Sequence, residues 1–157
     1  MSELLHKLHL VKGLDPVADA FAGTINSDVV SLRDHGRVAF VVHIGVGATG
    51  TSTFTVEACD DVVPTTTSAI AFWSREILTG DTESAITRRA AAGFVNTAGS
   101  SKIIAIEADA KDLPSNYGFI RLHAVESVND PCLGGILIIL GGLPSRYTED
   151  VNATAIA

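Results

Sequence analysis

The stretch His43-Ile-Gly-Val-Gly-Ala-Thr-Gly-Thr-Ser-Thr-Phe54 (HIGVGATGTSTF) follows the apolar run RVAFVVHI and carries a G-x-G-x-x-G pattern at Gly45, Gly47 and Gly50. Two folds compete for it. In a dinucleotide-binding unit the third glycine packs a helix against a parallel sheet, and an acid about 20 residues on holds the ribose. Here the third glycine is followed by TSTFTVEA, whose threonines and two-residue period specify a strand. A helix starting there would scatter Phe54 and Val56 over its surface. Near position 70 the chain reads SAIAFW, with no carboxylate before Glu76, and no Gly-Lys-Ser/Thr of a phosphate loop occurs. The stretch is therefore expected to be a hairpin turn between RVAFVVHI and TSTFTVEA, its glycines supplying positive φ angles. No nucleotide cofactor is expected.

The flanking sequence keeps the strand character. RVAFVVHI is apolar on both faces, which predicts a central strand. TSTFTVEA sets Phe54, Val56 and Ala58 against Thr53, Thr55 and Glu57. DVVSL, SAIAFWSRE and a short GFVNT read as further strands, with CDDVVPTTTS as a loop. KIIAIEAD places Ile104, Ile106 and Ala108 on one face and Ile103, Ala105 and Glu107 on the other. YGFIRLHAVE alternates Ile120, Leu122 and Ala124 with Phe119, Arg121 and His123, and CLGGILIILGG closes the body. DTESAITRRAAAGF has helical propensity and reads as either a short helix or a long loop. Short strands separated by turn residues, with no long helix between them, predict an all-β fold, an antiparallel sandwich or barrel, of which the β-sandwich, jelly-roll-like or immunoglobulin-like, is the expected form.

The N-terminus reads differently. SELLHKLHLVKG puts Leu4, Leu5, Leu8 and Val11 at helical spacing. DPVADAFAG predicts a short helix with Asp15 as N-cap, Pro16 at the first turn and Gly23 past the end. The expected organisation is an arm with a short helix over 1–27, a sandwich domain over 28–143 and an exposed polar C-terminal tail over 144–157.

A chain of 157 residues with 46% hydrophobic and 18% charged residues is expected to form one packed domain. Its net charge of −7, without a basic run, disfavours nucleic acid as a partner. The longest apolar run, CLGGILIILGGLP, is too short and glycine-broken to span a bilayer, so no membrane partner is expected, and no signal peptide is recognised. Cys59 and Cys132, far apart in sequence, are expected to be reduced thiols packed as small apolar groups, a disulfide being the alternative.

The chemistry-bearing residues form no motif. His6 and His9 have a ligand spacing but no third donor nearby, His43 and His123 sit in strands, and His35 sits in a turn. Asp60 and Asp61, with Glu57 and Glu107, are the candidate carboxylates, and a solvated turn is the simpler account of the adjacent pair. There is no G-x-S-x-G elbow, and Arg88-Arg89 is too short to be a nucleic-acid patch. Asn152-Ala153-Thr154 fits a glycosylation acceptor but has no secretory context. No catalytic residue, metal site or cofactor is expected.

Four segments carry a resemblance: LVKGLDPVADAFAGTINSDVVSL, GVGATGTSTFTVEACDDVVPTTTSAIAF, TAGSSKIIAIEADAKDL and YGFIRLHAVESVNDPCLGGILIIL. In order and phrasing, from Leu10 to Leu140, they resemble a family of small proteins of tailed-bacteriophage structural gene clusters. The resemblance implies a virion structural protein without catalytic residues. The role it favours is a capsid decoration, or cement, subunit bound to the outside of a shell of major capsid protein. Such a subunit commonly forms a trimer; it would be assembled in the bacterial host cytoplasm and located on the capsid exterior. A head–tail connector or tail structural protein is the alternative within the particle. A carbohydrate-binding sandwich, with Trp73 as stacking platform, is the alternative of another class. The expected contact is the N-terminal arm through Leu4, Leu5, Leu8, Leu10 and Val11, since leucines are costly to leave in water. The other use of that arm is to cover the chain's own sandwich.

Overall fold

A computed structural model describes residues 3–142. After a helical turn α1 (Glu3–Lys7), the described chain is built of strands β1 (His9–Val17), β2 (Thr24–Asn26), β3 (Val30–Ser31), β4 (Arg37–Ile44), β5 (Thr51–Cys59), β6 (Thr67–Ile70), β7 (Phe72–Leu78), β8 (Thr82–Glu83), β9 (Thr87–Arg89), β10 (Phe94–Val95), β11 (Lys102–Asp109), β12 (Phe119–Val128) and β13 (Gly134–Gly141). They form two antiparallel sheets packed face to face. Sheet A runs β1-β13-β4-β11-β7-β8, with β9 also on β7; sheet B runs β10-β5-β12-β2, with β6 on β5 and β3 on β12.

The core follows from the two-residue period of the long strands. Sheet A turns Phe40, Val42, Ile104, Ile106, Ile138 and Leu140 inward; sheet B turns Phe54, Val56, Ala58, Ile120, Leu122 and Ala124 to meet them, and none of these is more than 1% exposed. Aromatic rings bind the layers: Phe54 meets Phe21 edge-on at 5.6 Å and Phe94 at 6.2 Å, and Phe94 meets Phe72 at 6.1 Å. The faces expected for TSTFTVEA, KIIAIEAD and YGFIRLHAVE are the faces observed, and RVAFVVHI is central in its sheet, paired with β13 and β11.

Three local expectations are corrected. The glycine stretch is not a hairpin, because β4 lies in sheet A and β5 in sheet B. The loop crosses between the layers, and only Gly47 has a positive φ, at 80°. Gly45 and Gly50 are needed for close approach: a Cβ on Gly45 would strike the Leu133 side chain, and one on Gly50 the Asp130 carbonyl. The Gly45 N–H donates to the Leu133 carbonyl at 2.7 Å and the Ser101 N–H donates to the Gly45 carbonyl at 3.0 Å, tying the crossing to its neighbours. SAIAFWSRE, expected as one strand, breaks at Ala71 into β6 of sheet B and β7 of sheet A. DTESAITRRAAAGF is neither helix nor featureless loop, since it contains the short strands β8 and β9 and begins β10.

The N-terminal region also differs from expectation. Residues 9–17 form the edge strand β1, paired with β13 from His9↔Leu140 to Val17↔Gly134, and residues 24–26 pair with β12. The expected helix over DPVADAFAG is the end of β1 followed by a turn. Its capping signal is outcompeted because a nine-residue helix is marginal alone. Strand pairing instead gives Val11, Ala20 and Phe21 a buried place in the core. The arm expected over 1–27 is therefore largely part of the sandwich, and the tail expected over 144–157 lies outside the described residues.

Candidate functional site: the outer face of sheet A

In a sandwich each sheet has one face covered by its partner, and the other face is expected to be polar. Sheet B obeys this. Its outward positions include Thr53, Thr55, Glu57, Arg121 and His123, with Arg121 Nε and Nη2 donating to Glu57 at 2.8 and 2.7 Å. His123 Nδ1 lies 2.7 Å from Asn26 Oδ1.

Sheet A does not obey it. Register places Leu10, Ile139 and Ala39 in one outward row, continued by Glu107 and Trp73. The next row holds Lys12, Leu137, Val41, Ala105 and Arg75, and the third brings together His43, Ile103 and Ile77. The middle of this face, from Ala39 and Val41 to Ile103, Ala105 and Ile139, is aliphatic and half-buried only by its own neighbours. Leu10, Leu137 and Trp73 stand more than a third exposed. Centrality in the sheet does not explain this, because β5 is equally central in sheet B and keeps Thr53, Thr55 and Glu57 on its outward side.

At one end the face deepens into a groove of about 460 Å³. Leu14 to Pro16 wall it, because β1 bulges there and folds its backbone over Gly135. A Cβ at Gly135 would come within 2.9 Å of the Leu14 carbonyl oxygen, so the glycine permits the overlap. Val41, Ile103, Leu133 and Leu137 complete a mainly apolar lining.

The charges at the margin of this face are matched. Lys12 pairs with Asp15 at 2.9 Å, Arg88 with Asp112 at 3.3 Å, and Arg75 with Glu83. Arg37 reaches Asp109 at 2.9 Å and Glu107 at 3.7 Å, and Lys111 reaches Asp109 at 3.4 Å. Five cations thus meet five carboxylates. The formal charge of −7 lies elsewhere on the chain.

The contact residues expected from sequence divide. Leu4 and Leu5 on α1 are 67% and 65% exposed, and Leu10 joins the outer face of sheet A. Leu8 is half-buried. Val11 points the other way, into the core, and is unavailable to any partner.

The residues weighed for chemistry are kept apart by the fold. Glu57 serves Arg121, Glu107 serves Arg37, and Asp61 accepts from the Val62 amide at 2.7 Å. Asp60 closes its own loop, accepting from the amides and hydroxyls of Thr65 and Thr66. These bonds, the Thr65 hydroxyl first, hold its carboxyl far below the usual carboxylate range. Cys59 and Cys132 are free and buried. Burial pushes the Cys59 thiol up to about 11 and raises that of Cys132, which favours the neutral thiol at both. His43 stands on the outer face of sheet A, His35 is buried beside His9, and the His6 side chain lies outside the described residues. Among the described residues no three metal-ligating side chains converge. Trp73 is exposed, but the Arg88 guanidinium stacks over its ring at 5.3 Å from the centroid, so a cation occupies one of the faces a sugar would use.

The outer-face residues Val41, Ala105, Ile103, Leu137 and Ile139 were not singled out from the sequence, although the signal was present. RVAFVVHI, KIIAIEA and GGILIIL are apolar at odd and even positions alike. No protein-family model, curated protein or solved structure matches this chain.

Proposed function

We propose that this chain is a structural protein of a tailed-bacteriophage particle: a decoration subunit bound to the outer surface of a shell of major capsid protein. The observation that carries the reading is the exposed apolar centre of the outer face of sheet A. Such a face is built for adhesion. The exposed leucines of α1, Leu4 and Leu5, supply a contact for the shell. Many copies on one shell turn a modest single-site affinity into firm attachment. An acidic chain suits the outside of a head, where packaged DNA is not touched.

Particle stoichiometry and a truncation test this. Purified particles should contain this chain at a copy number comparable to that of the major capsid protein, with density on the outer shell in electron microscopy. A copy number fitting a single ring would place it at a connector or tail instead. Removal of residues 1–7 stops short of β1 and should leave the sandwich folded while weakening attachment to undecorated heads. Truncated protein that saturates heads at the same concentration would remove α1 from the contact.

A further inference from the structure

β4, β11 and β13 are apolar on both sides along their middle, where Ala39, Val41, Ile103, Ala105, Leu137 and Ile139 face outward between the polar ends Arg37, His43, Glu107 and Asp109, and the packing of sheet B accounts for one side only. Among the described residues nothing covers the other. A contiguous apolar face of this kind marks a surface that is covered in the working state, and three observations bear on what covers it.

The first is charge. Copies of a chain carrying −7 repel one another over most of their surface. On the outer face of sheet A the five cations at the margin are paired with carboxylates, and Asp28 lies beside the Lys12–Asp15 pair, so two copies meeting along this face bring little net charge together. A strongly basic or acidic partner would find little net charge to meet there.

The second is extent. Five strands, β1, β13, β4, β11 and β7, at ~4.8 Å spacing and six or seven residues of ~3.3 Å each, give a footprint of roughly 500 Å² in projection. Side chains standing out of that plane raise the accessible area towards the ~800 Å² per partner of a standard stable interface.

The third is relief. The groove between Leu14–Pro16 and Val41 is a recess, while Leu10 on the same face, outside the groove's lining, stands about half exposed as a knob. A self-complementary contact needs both on one surface.

We propose that the outer face of sheet A packs against the same face of a second copy of this chain, apolar centre to apolar centre, with the ion pairs at the rim. The inference rests on the adhesive reading of the face and not on its place in a virion. Association in solution is measured with no particle present, so either reading can fail while the other holds.

The test is sedimentation equilibrium of the full-length chain from micromolar to millimolar concentration, wild type beside Ala105→Arg and Leu137→Lys. Val125→Lys on the outer face of sheet B serves as control, and near-ultraviolet circular dichroism checks the fold. The wild type and Val125→Lys should associate alike. Each outer-face variant should keep the native spectrum and raise the dissociation constant at least tenfold. A wild type that stays monomeric overturns the proposal and leaves the face to residues 143–157 or to a different protein. Association that survives both outer-face substitutions places the contact elsewhere and overturns it as well.

Discussion

Ile103 and Ile104 are chemically identical neighbours on β11, and the fold assigns them opposite fates. Ile104 points into the core and is fully buried, whereas Ile103 lies half-buried on the outer face of sheet A. Substitution by alanine removes three carbons from each. At ~0.8 kcal/mol per buried carbon this costs ~2.4 kcal/mol at Ile104, and the cavity left between the sheets brings the loss to about 3–4 kcal/mol. At Ile103 the removed atoms are only partly shielded and no closed cavity forms, so the transfer loss is about 1 kcal/mol. The loss of β-propensity is common to both sites and cancels in the comparison. Urea unfolding at low protein concentration should therefore separate the two variants by about 2–3 kcal/mol. At high concentration the Ile103→Ala deficit should grow, since the atoms it lacks are those a second copy would cover, while that of Ile104→Ala should not. Equal losses at low concentration would refute the two-faced account of β11. A reversed order would mean that the strand is registered one residue away from the pairing described.

Other perturbations test particular joints. Gly93 and Gly47 both have φ near +80°, but a Cβ at Gly93 would collide with the Phe54 carbonyl while none lies in the way at Gly47. Gly47→Ala should cost about 1 kcal/mol in urea unfolding and Gly93→Ala clearly more; parity would remove the steric argument. Among the described residues the buried His35 has no hydrogen-bond partner at either ring nitrogen, and burial, followed by His9, lowers its pKa from the ordinary 6.5. The unfolded chain therefore takes up this proton more readily, so stability falls as pH drops through about 6.5 and is regained on raising it. His35→Phe should flatten that slope, and an unchanged pH profile of the urea midpoint would exclude His35 as its source. Asp60→Ala should release the 60–66 loop, read as faster amide exchange at Thr65 and Thr66 and faster proteolytic nicking, with the sandwich unfolding as before.

Where sequence reading succeeded, a single physical cause was at work on each strand. Burial of alternate residues makes a two-residue period, and on that ground alone Phe54 and Val56, Ile104 and Ile106, and Ile120 and Leu122 were each assigned to a common face, which the structure turns inward. It failed where the outcome depended on which layer a strand joins. RVAFVVHI and TSTFTVEA are joined by a glycine-rich loop in either topology, since a hairpin and a crossing both need small residues. What distinguishes them here is the 130–133 segment packed against Gly45 and Gly50, about 80 residues downstream, which no local pattern reveals. The break at Ala71 is equally silent, because Ile70 and Phe72 are buried on both sides of it and the apolar run never stops. DPVADAFAG shows the opposite failure. Its local helix signal is genuine, but the edge of β13 offers pairing and burial that a short isolated helix cannot match.

The candidate site was legible and was read for a different cause. Two-sided apolarity in RVAFVVHI was taken as the mark of a central strand, and β4 is central. Centrality, however, concerns hydrogen bonds along the sheet, whereas apolarity concerns what lies above and below it. β5 separates the two effects: it has neighbours on both edges and keeps Thr53, Thr55 and Glu57 on its outward side. If centrality alone produced two-sided apolarity, that strand would show it. The property belongs to β4, β11 and β13 together, with Leu10 and Trp73 at the flanks, and so to one face of one sheet. A chain with 18 acidic and 11 basic residues has ample charge to dress that face, yet places matched pairs around its margin and leaves the centre aliphatic. Water is a poor neighbour for such a surface, and the physical demand it creates is for another protein surface of similar size and little net charge.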